Sequence, residues 1–248
     1  MKLLLHACCG PCSLEPTRLL AHAGHDIAIA YMNSNIHPAE EYARRAETLR
    51  AWAASGGLPV VEGPYDPEAW ERTVGAVAAD AAKSREDRCR ACYRLRLEET
   101  ACYASAHGFD GISTTLTVSP YQYTDVIREE LERAATAHKL AYVFEDFRPF
   151  YDEATRRSRE LNMYRQNYCG CRISQAEAET ERRERKAARK AAREAEQLKR
   201  SAEAAVAEEE RLRKRAERKA YAEKQERKHR ILKELREKNR DRSERPNA

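Results

Sequence analysis

The chain has 248 residues, with 46 Lys and Arg against 41 Asp and Glu, a formal net charge of +5, and eight cysteines. No apolar run approaches the ~20 residues that span a bilayer, and the apolar start of about six residues is too short for a secretory signal, so a cytoplasmic protein without membrane association is expected. Eight cysteines in that reducing setting argue for metal or redox chemistry and against a disulfide scaffold.

Lys2 to Ala7 (KLLLHA) reads as a buried strand. It breaks into Cys8-Cys9-Gly10-Pro11-Cys12, a tight turn, and a helical pattern follows through Leu14, Leu19, Leu20 and Ala23. In an open α/β sheet ligands bind at the loop that leaves the first strand. Here that loop carries three thiols and no glycine-rich phosphate cradle, which suits a ligand that binds sulfur. Asp26 to Met32 reads as a second strand, near-continuously apolar as parallel strands buried on both faces are. A helix over 39–54 with Tyr42, Ala46, Leu49 and Ala53 inward ends at Gly56-Gly57, and Leu58 to Glu62 is a third strand. Asp66-Pro67 caps a helix that runs to about Ala82. After the charged loop Lys83–Arg88, Cys89 and Cys92 stand at a helix start, and that helix continues through Tyr93, Leu95, Leu97 and Tyr103. Gly111 to Leu116 is a fourth strand, Tyr123 to His138 a helix, Leu140 to Glu145 a fifth strand, and Asp152 to Tyr164 a helix that ends before Cys169-Gly170-Cys171. Alternating strands and helices predict a parallel sheet covered on both faces.

The composition divides the chain. Residues 1–175 carry 21 basic and 24 acidic residues, enough length for a core, and nearly all the Gly, Pro, Cys and aromatic residues. Residues 176–248 carry 25 basic and 17 acidic residues and read as a long, solvated, basic helical tail, partly frayed or disordered. Its large apolar residues keep no heptad, so no coiled coil is expected. Glu precedes Lys or Arg by four at Glu181/Arg185, Glu196/Arg200, Glu210/Lys214, Glu223/Arg227 and Glu234/Lys238, each pair worth ~0.2–0.5 kcal/mol.

Cys8, Cys9 and Cys12 at one strand end, with Cys89 and Cys92 at a helix start, form a donor set suited to zinc or an iron–sulfur cluster, and helix N-terminal amides are expected to lower the thiol pKa at both places. Buried unreactive thiols are the plainer alternative. Spacing alone does not separate zinc from iron–sulfur, although adjacent side chains such as Cys8 and Cys9 are expected to diverge, which fits a larger cluster better than one ion. Cys102, mid-helix in an apolar pattern, reads as a core filler. Cys169 and Cys171 reach disulfide range only through a strained, easily reduced turn, or else serve as two more metal thiolates. His6 is equally a ligand or a core residue. Asp110, Asp125 and Asp146 are candidate acids, and Tyr121, Tyr123, Tyr164 and Tyr168 candidate platforms for stacking on a base.

The stretches LLLHACCGPCS, YMNSNIHPAEEYARR, CRACYRLRLEET, STTLTVSPYQ and FRPFYDEATRRSRELNMYRQNYCGC together resemble the QueH-type epoxyqueuosine reductases over about residues 1–175. The resemblance implies an adenine-nucleotide-hydrolase-like (HUP-type) three-layer α/β domain whose phosphate loop is given over to cysteines. It implies two-electron reduction of epoxyqueuosine to queuosine at the wobble position of tRNA, the last step of queuosine synthesis, with an external electron donor. Residue by residue, Cys8, Cys9, Cys89 and Cys92 match the ligands of a [4Fe–4S] cluster and Cys169 and Cys171 the redox-active pair. A further mononuclear iron is implied, with Cys12, His6 or a thiol of the Cys169–Cys171 pair as its ligand, to polarise the epoxide oxygen. A tRNA-thiolation or nucleotide-activating enzyme, and a zinc module that binds RNA, are the competing readings. The first lacks its phosphate loop, and the second leaves the Cys-Gly-Cys turn without a purpose.

Overall fold

The computed structural model describes the backbone of residues 1–243 and the side chains of residues 1–236. Residues 1–180 and 181–248 separate into two units.

The first unit is built on a five-stranded parallel sheet of order β3-β2-β1-β4-β5. The strands are β1 (Lys2–His6), β2 (Asp26–Tyr31), β3 (Val60–Glu62), β4 (Gly111–Thr114) and β5 (Ala141–Tyr142). The central strands are buried on both faces: Leu3, Leu4, Leu5 and Ile29 are fully enclosed. Helices α1 (Gly10–His22), α2 (Ala39–Ser55) and α7 (Tyr151–Glu160), with α5 (Arg85–Ala106) and α6 (Thr124–Ala137), complete the three layers. Leu4, Ala30 and Ile112 pack with Tyr93 and Leu97 of α5 and Ile127 and Leu131 of α6. The alternate residues Leu3 and Leu5 pack with Leu20 of α1 and Ala154 of α7, as the two-residue period of a strand requires.

The order reverses beside β1, so the crevice that suits a ligand in such sheets opens at the C-terminal ends of β1 and β4. Buried ion pairs fasten the elements around it. Glu15 of α1, with a fully enclosed side chain, accepts from Arg157 of α7 at 2.5 Å and from Arg18.

Several sequence expectations need correction. The helix expected from Pro67 to Ala82 is α3 (Pro67–Trp70), a π turn (Glu71–Gly75) and α4 (Ala76–Ala79). The fifth strand is two residues long, because β5 pairs with β4 only through Ala141 and Tyr142 and lies at the sheet edge. The fourth strand ends at Thr114, whose side chain caps a 3₁₀ turn (Thr115–Val118). The helix after β5, α7, ends at Glu160, short of the expected Tyr164.

In the second unit, α8 (Arg172–Ser243) continues as one helix. Leu198, Val206, Leu212, Tyr221, Ile231, Leu232 and Leu235 are exposed along it. The pairs Glu181/Arg185, Glu196/Arg200 and Glu210/Lys214 form as spaced. Glu223 pairs instead with Lys219, at 3.9 Å, and Glu234/Lys238 lies outside the described side chains. Among the described residues no helix is long and apolar enough to cross a membrane.

Candidate metal–thiolate site

Cys8 and Cys9 leave the end of β1, and Cys9 is the N-cap of α1 with extended backbone (φ −175°, ψ 163°). Pro11 follows in the first turn, where its missing N–H costs nothing. The Sγ atoms of Cys8, Cys9 and Cys12 lie within 4.8 Å of one another, a group able to hold a metal ion. Cys8 and Cys9 Sγ are 3.8 Å apart. The adjacent side chains therefore converge, against the expectation that they diverge.

The three thiols do not behave alike. Hydrogen bonds from Cys12 and then Cys9 hold Cys8 well below the usual thiol range. Cys12 is pushed well above it by those same bonds, toward Cys8 and Cys9, and by burial. Cys9 is pulled down by Cys12, but donation to Cys8 and burial outweigh this and push it up to about 12. The three thiols thus shift in opposite directions, where the helix N-terminus was expected to acidify all of them.

Cys89 and Cys92 come from α5. The helix begins at Arg85 behind a capping box of Ser84 and Asp87, a full turn earlier than the sequence expectation. Both cysteines consequently lie inside the helix, beyond its unpaired amides. Burial pushes Cys89 up to about 11 and Cys92 up to about 12, the reverse of the expected shift. Cys92 packs with Cys171, Trp70 and Val74.

The Cys169–Cys171 turn is brought to the same crevice. Both are free thiols. Gly170 has φ +153°, and a Cβ there would stand 2.7 Å from Asn35 Nδ2 and 3.2 Å from Ile36 Cγ1, so the glycine is required by its neighbours as well as by its backbone. The buried Arg45 holds the turn: it donates to the carbonyl oxygens of Cys169 (2.9 Å) and Tyr168 (3.2 Å) and to Glu41 Oε1 (2.7 Å). Tyr164 donates to the other Glu41 oxygen at 2.7 Å.

Residues unremarked in the sequence touch the sulfurs. Gln166 Nε2 donates to Cys9 Sγ at 2.9 Å, while its Oε1 is buried without a partner among the described residues. Gln122 Nε2 lies 3.6 Å from Cys169 Sγ, and Gln122 Oε1 accepts from Tyr93 at 2.6 Å. Arg96, 1% exposed, sits on α5 four residues after Cys92; burial works against its charge, and Cys92, Cys8 and Cys169 are the neighbours whose ionisation would favour it most. It links the β1 thiols to those of α5 and the Cys-Gly-Cys turn. The spacing Cys92-x-x-x-Arg96 on one helix face was the available signal.

The other candidates have partners of their own or stand apart from the thiols. His6 is fully buried, its ring nitrogens directed at Thr114 Oγ1 (3.0 Å) and the Met32 carbonyl (3.4 Å). Burial, then the Arg96 charge, pushes its pKa down to about 3, so it is a neutral core residue with both nitrogens occupied. Cys102 is exposed on α5 rather than a core filler. Asp110 accepts from the Lys2 amide at 2.6 Å, at the opposite end of β1 from the thiols; Asp125 and Asp146 face Arg128 and Arg148 on the surface. Tyr168 is tied to the His37 carbonyl and Tyr164 to Glu41. Tyr123 is half-buried against the α5–α6 core, and Tyr121, next to Gln122, stands 73% exposed.

The family model for epoxyqueuosine reductase QueH matches residues 3–177. Epoxyqueuosine reductase QueH of Dehalococcoides mccartyi is 32% identical over 177 residues, 71% of this chain and 93% of its own. Its namesake in Staphylococcus aureus is 33% identical, covering 68% and 74%, and that of Thermotoga maritima 34% identical, covering 69% and 88%. A solved structure described as a predicted subunit of tRNA methyltransferase from Methanocaldococcus jannaschii superposes on 64% of this chain and 75% of its own, with a TM-score of 0.43 and 13% identity.

Proposed function

The chain belongs to the epoxyqueuosine reductase QueH family, and from that premise we propose how its thiol site reduces epoxyqueuosine to queuosine, the last step of queuosine biosynthesis, at the wobble position of tRNA. The observation that carries the reading is the gathering of seven cysteines from three distant stretches at one end of the sheet, with no phosphate-binding loop beside them.

The reaction consumes two electrons and two protons, and the epoxide oxygen leaves as water. Residues 1–175 form the catalytic domain, and 176–248 the basic tail. A donor set made only of sulfur suits an iron–sulfur cluster over harder metals. Cys8, Cys9, Cys89 and Cys92 would hold a [4Fe–4S] cluster, with Cys12 as a ligand for an additional mononuclear iron. When bound, such groups supply single electrons and a Lewis acid for the developing alkoxide.

The protein's own residues do the rest. The Gln166 amide directs a donor at Cys9 and keeps that sulfur on the crevice side of α1. Arg45 and Glu41 fix the backbone that carries Cys169 and Cys171. Cys169 is kept protonated by burial. As the redox-active pair, Cys169 and Cys171 would close a disulfide and release two electrons and two protons, the quantity the reaction uses, and an external electron donor would then reopen it. Exposed Tyr121 is a platform for a splayed anticodon base. With tRNA as its substrate, the enzyme would work in the cytoplasm.

The test is anaerobic incubation of the iron-loaded full chain with tRNA carrying epoxyqueuosine and a reductant, followed by nucleoside analysis. Queuosine should form, and Cys9→Ser, Cys92→Ser and Cys169→Ser should each abolish it. Iron-loaded protein that leaves epoxyqueuosine unchanged would overturn the reading.

A further inference from the structure

On the reading that Cys8, Cys9, Cys89 and Cys92 hold an iron–sulfur cluster, we propose that Arg96 is the fixed counter-charge of that centre and raises its reduction potential.

Arg96 is 1% exposed. A guanidinium buried to that degree needs a matching anion, because desolvation alone costs several kcal/mol. The other enclosed arginines have one: Arg45 bonds Glu41 at 2.7 Å, and Arg88 meets Glu177 at 2.9 Å. Arg96 has no carboxylate bonded to it among the described residues. Its Nη2 donates to the Asn33 side-chain oxygen at 2.6 Å, and its Nε is buried without a partner. Glu99, one turn further along α5, feels the Arg96 charge, which lowers its pKa, but burial outweighs this and pushes the carboxyl up to about 7, and one of its oxygens is also unpartnered, so it offsets the guanidinium only in part.

The remaining source of negative charge is sulfur. Arg96 follows Cys92 by four residues and Cys89 by seven, so all three share a helix face. From the other side, Asn33 at the end of β2 holds the guanidinium and, through Nδ2, the Ala7 carbonyl at 2.8 Å, immediately before Cys8. Arg96 is thereby pinned between the two thiol groups. Cluster reduction adds an electron to an already anionic centre. A buried cation favours that state more than the oxidised one, because a protein interior screens charge weakly. Hydrogen bonds and net charge around the sulfurs are among the factors that set cluster potentials. The sequence shows little sign of this role, since Arg96 stands in a run of charged residues and only its spacing from Cys92 sets it apart.

The experiment is a redox titration, followed by electron paramagnetic resonance, of the full chain purified anaerobically, with iron and sulfide assayed in each sample. Arg96→Gln should lower the equilibrium constant for reduction at least tenfold, about 59 mV for a one-electron couple. Arg96→Lys, which keeps the charge, should stay near the wild-type potential. Asn33→Asp, nearly isosteric and placing a carboxylate on the guanidinium, should shift the potential the same way by less. Arg96→Gln with full iron and an unchanged potential would overturn the inference. If that variant assembles no cluster, an unchanged potential in Asn33→Asp overturns it equally. A wild-type chain that takes up no cluster would refute the ligand assignment, which is a separate failure.

Discussion

Arg45→Met is the substitution that most sharply probes how the Cys169–Cys171 turn is held. Methionine keeps roughly the volume and removes the charge. Three bonds vanish at once, to Glu41 and to the carbonyls of Cys169 and Tyr168, and Glu41 is left nearly buried with only Tyr164 as donor. Breaking one side of a buried ion pair costs about 3–5 kcal/mol, a large part of the ~5–15 kcal/mol that holds a domain of this kind together. With a urea slope of about 2 kcal/mol/M, the midpoint should fall by roughly 1.5–2.5 M, read from Trp52 and Trp70 fluorescence. Glu41→Gln combined with Arg45→Met should recover part of the loss, since no uncompensated charge remains. Alkylation of Cys169 and Cys171 in the metal-free protein should accelerate in parallel. A loss under ~1 kcal/mol with unchanged alkylation would show that Arg45 does not clamp the turn.

Other substitutions report on separate parts of the account. Gly170→Ala meets Asn35 and an unfavourable φ and should cost about 1–3 kcal/mol, a Tm drop of roughly 3–10 °C by calorimetry. Glu99 has its folded pKa raised from 4.5 to about 7, so the native state binds more protons than the unfolded state within that window, and stability falls as pH rises through it. Allowing for partial exposure, Glu99→Gln should gain about 1–2 kcal/mol over wild type at pH 8 and little at pH 4.5, as urea unfolding at both would show. Cys102→Ser should leave iron content and turnover unchanged, because that thiol is exposed and apart from the crevice. Removing 181–248, which spares the Arg88–Glu177 pair, should weaken tRNA binding and flatten its salt dependence; equal binding at every salt concentration would leave the tail without that role.

The strands were legible because β1 and β2 are buried on both faces and read as unbroken apolar runs. The alternation with helices then fixed a parallel sheet. The edge strand β5 was overread, since the apolar run Leu140–Phe144 packs partly without pairing. The start of α5 was misplaced although Ser84 and Asp87 carry the spacing of a capping box, and that single turn reversed the expected acidity of Cys89 and Cys92. The cysteines announced a site by their spacing. Arg96, Gln122 and Gln166 did not, because polar residues reach sulfur only through tertiary packing.

The most direct test of a single metal–thiolate centre is the iron, sulfide and zinc content of the chain purified without oxygen, taken with its visible spectrum. The account predicts a brown protein with about four cluster irons and four sulfides per chain, lost together in Cys8→Ser and Cys92→Ser, and a fifth iron where the mononuclear site is filled. A colourless protein that binds one zinc, and still does after cluster reconstitution, would contradict it.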